Sequence, residues 1–419
     1  MGIIIMTVQY NHLSTTTYFS RRHFVAAMGA ATVVSPLLAQ ESKPLAPVIS
    51  LTGSKIKVAI VGCGGRGTFI ASLLKQHGGY EITAVADYFQ AKADKMGQSF
   101  GLAKERCFSG LNGYKRALET KPDVLAIMSP PFFHPEQAAA AVDAGVHVYL
   151  AKPIAVDVPG CRSIEATVKL AGEKKLSFLV DFQTRAMPVF QETIKRVHAG
   201  AIGELVFGEV SYHCGGFDRN AEHEGPEGRL GNWLFDKALS GDIITEQNIH
   251  SLDVMNWVCQ TPPVSAYGTG GRKVRKHTGD CWDHFTVQFT YPNNVGIGFS
   301  SRQFDGHGTQ PDGIVCRVFG SKGVLEAKYG GNVMIRGENF YRGGETKQIY
   351  KEGAFNNVLA FYDAIKKGDC SNLTVAPSVQ SCLITIMGRK AAYTGKVITW
   401  DEIIKDTERL DGRLEGLRV

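Results

Sequence analysis

From Lys55 onward, apolar runs alternate with segments of helical spacing. KVAIVG (57–62), EITAVAD (81–87), DVLAIMS (123–129) and HVYLAK (147–152) read as buried strands. Between and after them, TFIASLLKQH (68–77), PEQAAAAVDAG (135–145) and VPGCRSIEATVKLAGEKK (158–175) read as helices. Continuous apolar strands separated by helices predict a parallel, doubly wound α/β sheet, because only a strand covered on both faces dispenses with polar positions. After about Phe182 the texture changes. LVFGEVSYHC (205–214) and DHFTVQFTY (283–291) alternate with period two, so that Phe285, Val287, Phe289 and Tyr291 share one face and His284, Thr286, Gln288 and Thr290 the other. That pattern predicts a half-exposed, antiparallel sheet. The expected fold is therefore a doubly wound α/β domain over 55–178 followed, over 179–419, by a second domain with a half-exposed antiparallel sheet. SGDIITEQNIHSLDVMNWV (240–258) reads as one helix, which sets Glu246 and His250 four apart on one face, with Asp253 close by.

The first forty residues differ. They contain no Asp or Glu, and SRRHFV (20–25) leads into a mildly apolar run ending near Ala39. This resembles a twin-arginine export signal, with processing near Ala39 and a polar linker over 41–54. The apolar run is shorter than the ~20 residues of a membrane span. The expected location is the periplasm or another exported compartment, with no stable membrane span after processing. The nine cysteines are scattered, with no CxxC pair, and read as buried free thiols. The net charge of +6 is spread out, without blocks of Lys and Arg interleaved with aromatics, so nucleic acid is not an expected partner. YHCGG (212–216) and GDCWDH (279–284) offer metal-ligating types, but at no standard zinc spacing, and no metal is expected.

VGCGGRG (61–67) sits between the first strand and first helix, and Asp87 ends the second strand about twenty residues on. In this context Gly62 allows the tight turn, Gly64 lets the backbone approach a pyrophosphate, and Gly67 lets helix and strand pack closely. Gly65 and Arg66 belong to the same loop. Free N–H groups at the helix start would meet the phosphates. A carboxylate at Asp87 would bind ribose hydroxyls and repel a 2′-phosphate, which favours NAD over NADP. Lys152 ends a strand of this sheet, where ligands bind, and Pro153 follows it.

The glycine loop, the strand-end Lys152–Pro153 and the Glu246-x-x-x-His250 pair together resemble the glucose–fructose oxidoreductase, inositol dehydrogenase and rhizopine-catabolism (Gfo/Idh/MocA) family, over about residues 55–400. SPPFFHPEQAAAAVDAGVHVYLAKP (129–153) matches the family segment joining the fourth and fifth strands, and so brings Pro130 and His134 into the cofactor set. The resemblance implies an N-terminal Rossmann domain plus an α+β C-terminal domain with a large, mostly antiparallel open sheet, hydride exchange between a sugar or polyol carbon and nicotinamide, and a homodimer or homotetramer. It implies His250 as general base, Lys152 at the reacting oxygen, and Glu246 orienting one of them. Two departures stand out. The family acid four residues before the histidine is usually Asp, and here it is Glu246. The family acid before the lysine is Ala151, which removes one carboxylate partner of Lys152. Gln183, Arg185, Tyr212 and Trp233 are candidates for holding the sugar. An exported enzyme would meet little free NAD, so the cofactor is expected to be tightly bound. Two alternatives remain beside the oxidoreductase: an NAD-recycling glycosidase working by oxidation, elimination, hydration and re-reduction, and a sugar-binding protein without catalysis.

Overall fold

The computed structural model describes residues 53–220, 222–310 and 312–419. The expected export signal and most of the expected linker lie outside the described residues.

The first sheet has six parallel strands: β1 (Ile56–Val61), β2 (Tyr80–Asp87), β3 (Cys107–Ser109), β4 (Val124–Ile127), β5 (His147–Ala151) and β6 (Phe178–Asp181). Their order is β3-β2-β1-β4-β5-β6, the doubly wound arrangement that the alternating pattern predicts. Because β6 belongs to this sheet, the first domain runs past the expected boundary at 178. The apolar side chains of the central strands separate onto two faces. Ile56, Val58 and Ile60 pack under the helix Gly65–His77, whereas Ala59 and Val61 face the opposite layer. The first of these layers is completed from far along the chain. Ala354, Phe355, Val358 and Phe361 of the helix Ile349–Lys367 join the same buried cluster.

The second sheet has nine strands: β7 (Leu205–Cys214), β8 (Ser265–Gly271), β9 (His284–Tyr291), β10 (Val295–Gln303), β11 (Gly313–Gly320), β12 (Gly323–Lys328), β13 (Asn332–Gly337), β14 (Tyr341–Glu345) and β15 (Ile398–Thr399). Their order is β14-β13-β12-β11-β7-β10-β9-β8-β15, and β7 with β10 is the parallel pair among otherwise antiparallel neighbours. On β9, Phe285, Val287, Phe289 and Tyr291 are buried, while Thr286 and Gln288 are exposed. The helices Ile249–Cys259 and Val375–Thr394 contribute to the cluster on the buried side. All nine cysteines are free thiols, six of them buried. No described helix is long and apolar enough to cross a membrane.

The segment expected to form one helix over 240–258 is broken. Gly241 and Asp242 take positive φ, the first short helix covers Asp242–Glu246, and a new helix begins at Ile249. Burial of the flanking Ile244 and Ile249 keeps the apolar spacing across the break. A periodic pattern survives a single-turn interruption, and for that reason periodicity alone does not reveal it.

Candidate active site

The turn after β1 builds the nucleotide end. Gly62 has φ +91°, and a side chain there would collide with the backbone of Met128 and Ser129. A Cβ on Gly67 would lie 1.8 Å from the Gly62 carbonyl oxygen, so Gly67 allows the helix to sit against the loop. Gly64 and Gly65 are different: a Cβ on either would meet nothing within 4 Å. They border a cleft of about 160 Å³ that also runs past Arg66, Asp87 and Pro130. The helix starting at Gly65 has no side-chain cap and no acid in its first turn, so its N–H groups are left for an anion.

Asp87 closes one side of the loop. Its carboxylate accepts from the Cys63 amide at 2.8 Å and the Phe89 amide at 2.9 Å. Burial raises its pKa, against those two backbone bonds and the charge of Lys92. A carboxylate has about four acceptor positions, and two are used here. The glycine loop, the uncapped helix and the remaining acceptor capacity of Asp87 fit a dinucleotide.

Arg66 also borders the cleft. Its guanidinium pairs with Asp181 at the end of β6 and lies over the rings of Phe69 and Tyr350. Burial alone would lower its pKa, but Asp181 overcomes this and raises it. With its amide turned to satisfy both groups, Gln183 also accepts from Arg66 at 2.9 Å. Gln183 is buried, and it serves Arg66 where a sugar contact was expected.

Lys152 follows β5 and precedes Pro153 across a cis peptide bond. Its Nζ donates to Glu246 Oε1 at 2.9 Å and to the Glu246 carbonyl oxygen. Glu246 thus supplies the carboxylate that Ala151 does not, and it orients the lysine. His250 opens the helix beyond the break. Its Nδ1 is buried without a hydrogen-bond partner. Burial, and then the charges of Lys152 and Arg66, hold the imidazole pKa well below its usual value. The rings of Phe182 and Tyr329 stand 6.3 and 6.0 Å from it. Tyr212 on β7 lies within the field of Glu246 and Tyr329, and burial raises its phenol pKa. Lys152, Glu246, His250 and Tyr212 therefore form one electrostatic neighbourhood next to Arg66.

Three expected site residues have other work. His134 is buried outside the cleft lining, with Nδ1 2.8 Å from the Pro153 carbonyl oxygen and Nε2 2.8 Å from that of Ser129. It braces the two turns that frame the site. Arg185 is committed to Asp253, its Nε 3.0 and 2.9 Å from the two carboxylate oxygens, and lies over Trp257. Trp233, expected to hold the sugar, lines the nucleotide cleft beside Leu230 and Phe133. Sequence reading missed Tyr88, Phe89, Lys92 and Leu111, which also line the cleft. The signal available for the first two was adjacency to Asp87. Leu111 carried none. Among the described residues no three His, Cys, Asp or Glu side chains gather as a metal site would require.

Comparison with known proteins agrees with the reading of the cleft as an NAD site. A family model described as an oxidoreductase family with an NAD-binding Rossmann fold matches residues 56–182, and one for the GFO/IDH/MocA C-terminal domain matches 190–326. Inositol 2-dehydrogenase of Rhizobium meliloti (strain 1021) is 23% identical over 333 residues, 77% of this chain and 91% of that protein. D-glucoside 3-dehydrogenase of Escherichia coli (strain K12) is 27% identical over 224 residues, 52% of this chain and 58% of that one. The crystal structure of an oxidoreductase from Agrobacterium radiobacter in complex with NAD+, L-tartaric acid and magnesium shares the fold, with a TM-score of 0.65 at 19% identity, over 83% of this chain and 98% of that one.

Proposed function

From the premise that the chain belongs to the GFO/IDH/MocA family of NAD-binding sugar oxidoreductases, we propose that it oxidises a hydroxyl carbon of a sugar or glycoside, with Lys152 and His250 at the reacting oxygen. The observation that carries this reading is the Lys152–Glu246 pair at 2.9 Å beside a buried His250 whose Nδ1 has no partner. The low pKa keeps His250 neutral near pH 7 and leaves a ring nitrogen to take the hydroxyl proton. Lys152, held by Glu246, donates to the same oxygen and stabilises its developing charge. Tyr212 offers a further hydroxyl for the sugar. The glycine loop, the uncapped helix and Asp87 hold NAD, which supplies the hydride acceptor.

Export by the twin-arginine route is part of this proposal. Its support is the Arg21–Arg22 pair ahead of an apolar run, in forty residues without an acid. Assembly into a homodimer or homotetramer is likewise proposed, with support from the exposed polar and aromatic side of the nine-stranded sheet.

The test is mass spectrometry of products formed by the purified protein from a panel of free sugars and glycosides, with and without added NAD. A keto-sugar that disappears with Lys152→Ala supports the oxidoreductase. Release of the group at C1 with the sugar otherwise unchanged replaces it with the glycosidase. Sugar binding without conversion leaves a binding protein.

A further inference from the structure

The cleft wall beyond Asp87 is assembled from three distant parts of the chain. Tyr88, Phe89 and Leu111 come from the first domain, and Leu230 and Trp233 from the second. Residues 409–419 lie behind this wall and tie its parts together. Leu417 is buried against Phe89, Phe133 and Leu230, with Leu414 packed beside it. The Leu111 amide donates to the Arg418 carbonyl oxygen at 2.9 Å. The Arg418 amide donates to the Tyr88 hydroxyl at 3.0 Å, and that hydroxyl donates to Glu227 Oε1 at 2.8 Å. The Arg418 guanidinium lies over the Tyr88 ring, 5.4 Å from its centre. A second tie runs through Asp236, which pairs with both Arg229 and Arg413 at 2.8 Å. Arg229 also donates to the Arg413 carbonyl oxygen at 2.7 Å.

A carboxylate at the end of the second strand marks the ribose of the adenosine half. The side chains directly after Asp87 therefore flank the adenosine. We propose that residues 409–419 are a clasp over that half, which makes NAD a resident group of the protein and not a co-substrate exchanged at each turnover. The inference rests on the NAD-binding reading above. Opening the wall requires Tyr88 to part from Glu227 and Arg418, and Leu414 and Leu417 to leave their apolar contacts. Each such step slows release without adding any contact to the cofactor itself.

The experiment measures exchange of NAD into the full-length protein. The protein is purified, its bound NAD is quantified after denaturation, and isotopically labelled NAD is then added and its uptake followed by mass spectrometry. Two variants are compared: a chain ending at residue 408, and Tyr88→Phe, which removes one hydroxyl and keeps the ring. Near-stoichiometric NAD in the native protein, exchanging about 10- to 100-fold more slowly than in folded variants, is the expected result for the loss of a few hydrogen bonds and apolar contacts. If the truncated chain does not fold, as a thermal melt would show, Tyr88→Phe decides. Equal exchange rates in native and variant proteins, or rapid exchange in the native protein, overturn the clasp and leave the cofactor site standing. Failure of every form to take up labelled NAD overturns the cofactor reading itself.

Discussion

At the residue scale, the proposed reaction divides its work between His250 and Lys152 because they are placed oppositely with respect to charge. Lys152 has a carboxylate at 2.9 Å, whereas His250 is enclosed and faces cations. His250→Ala and Lys152→Ala are each expected to lower kcat by roughly 10²- to 10⁴-fold, measured on protein whose melting temperature is unchanged. Protonation removes the base, so kcat/KM of the native enzyme should be flat through neutral pH and fall only below about 6.5, the ordinary histidine value. An acid limb centred above that value would contradict the burial argument. His134 makes a separate prediction. Burial pushes its pKa down to about 4, against the pull of the Ser129 and Pro153 carbonyl oxygens. A neutral ring donates to one of these oxygens only, so its second contact opposes a lone pair to an oxygen. With the unfolded value near 6.5, the unfolded chain takes up the proton first. Stability is then complete above about pH 6.5 and declines as pH falls towards about 4, by about 2 kcal/mol at pH 5. Thermal melts at pH 7.5 and 5 for native protein and His134→Gln would show it as a steeper loss in the native chain. A native chain that gains stability on acidification relative to His134→Gln would mean that the two carbonyls win and hold an imidazolium.

At the element scale, the strand–loop–helix unit was legible because each glycine has its own steric reason. The structure separates reasons that the spacing treats alike. Gly67 has a backbone oxygen where a Cβ would go, and Gly64 has open cleft. Gly67→Ala should therefore lower the melting temperature, at a cost of about 1–3 kcal/mol or more for overpacking. Gly64→Ala should leave the melt within about 0.5 kcal/mol of native and instead raise the Kd for NAD, read by calorimetry. A large stability loss from Gly64→Ala would show that the open side of the loop is structural. The segment 240–258 shows the limit of the same reasoning. Its apolar period placed Glu246 and His250 near one another, but a turn at Gln247 and Asn248 separates them into two helices. Glu246 bonds to Lys152 from the strand end, a partner 94 positions away that no helical wheel contains.

At the scale of the whole molecule, the nine-stranded sheet presents its unburied side outward. Phe207 and Phe319 stack on neighbouring strands with ring centres 4.4 Å apart, and Phe207 and Tyr267 remain exposed. If that side joins subunits, sedimentation should give a multiple of the chain mass, and Phe207→Asp should shift it towards the monomer. A monomer for the native chain would remove this assembly from the proposal. The sequence by itself determined what short-range sterics and burial periodicity encode: the tight glycine turn after the first strand, the carboxylate at the end of the second, and the two sheet types, whereas Lys152 and His250 were singled out by family resemblance. Only the tertiary structure decided which charges meet. Arg185 goes to Asp253, Gln183 to Arg66, and His134 to two carbonyl oxygens, because a side chain's partner is set by which backbone segments pack side by side. Likewise, the helix Ile349–Lys367 covers the first sheet, and residues 409–419 brace the nucleotide cleft, from far along the chain. Neither segment carries a local mark of that destination, because the apolar side chains that dock there specify burial but not against what.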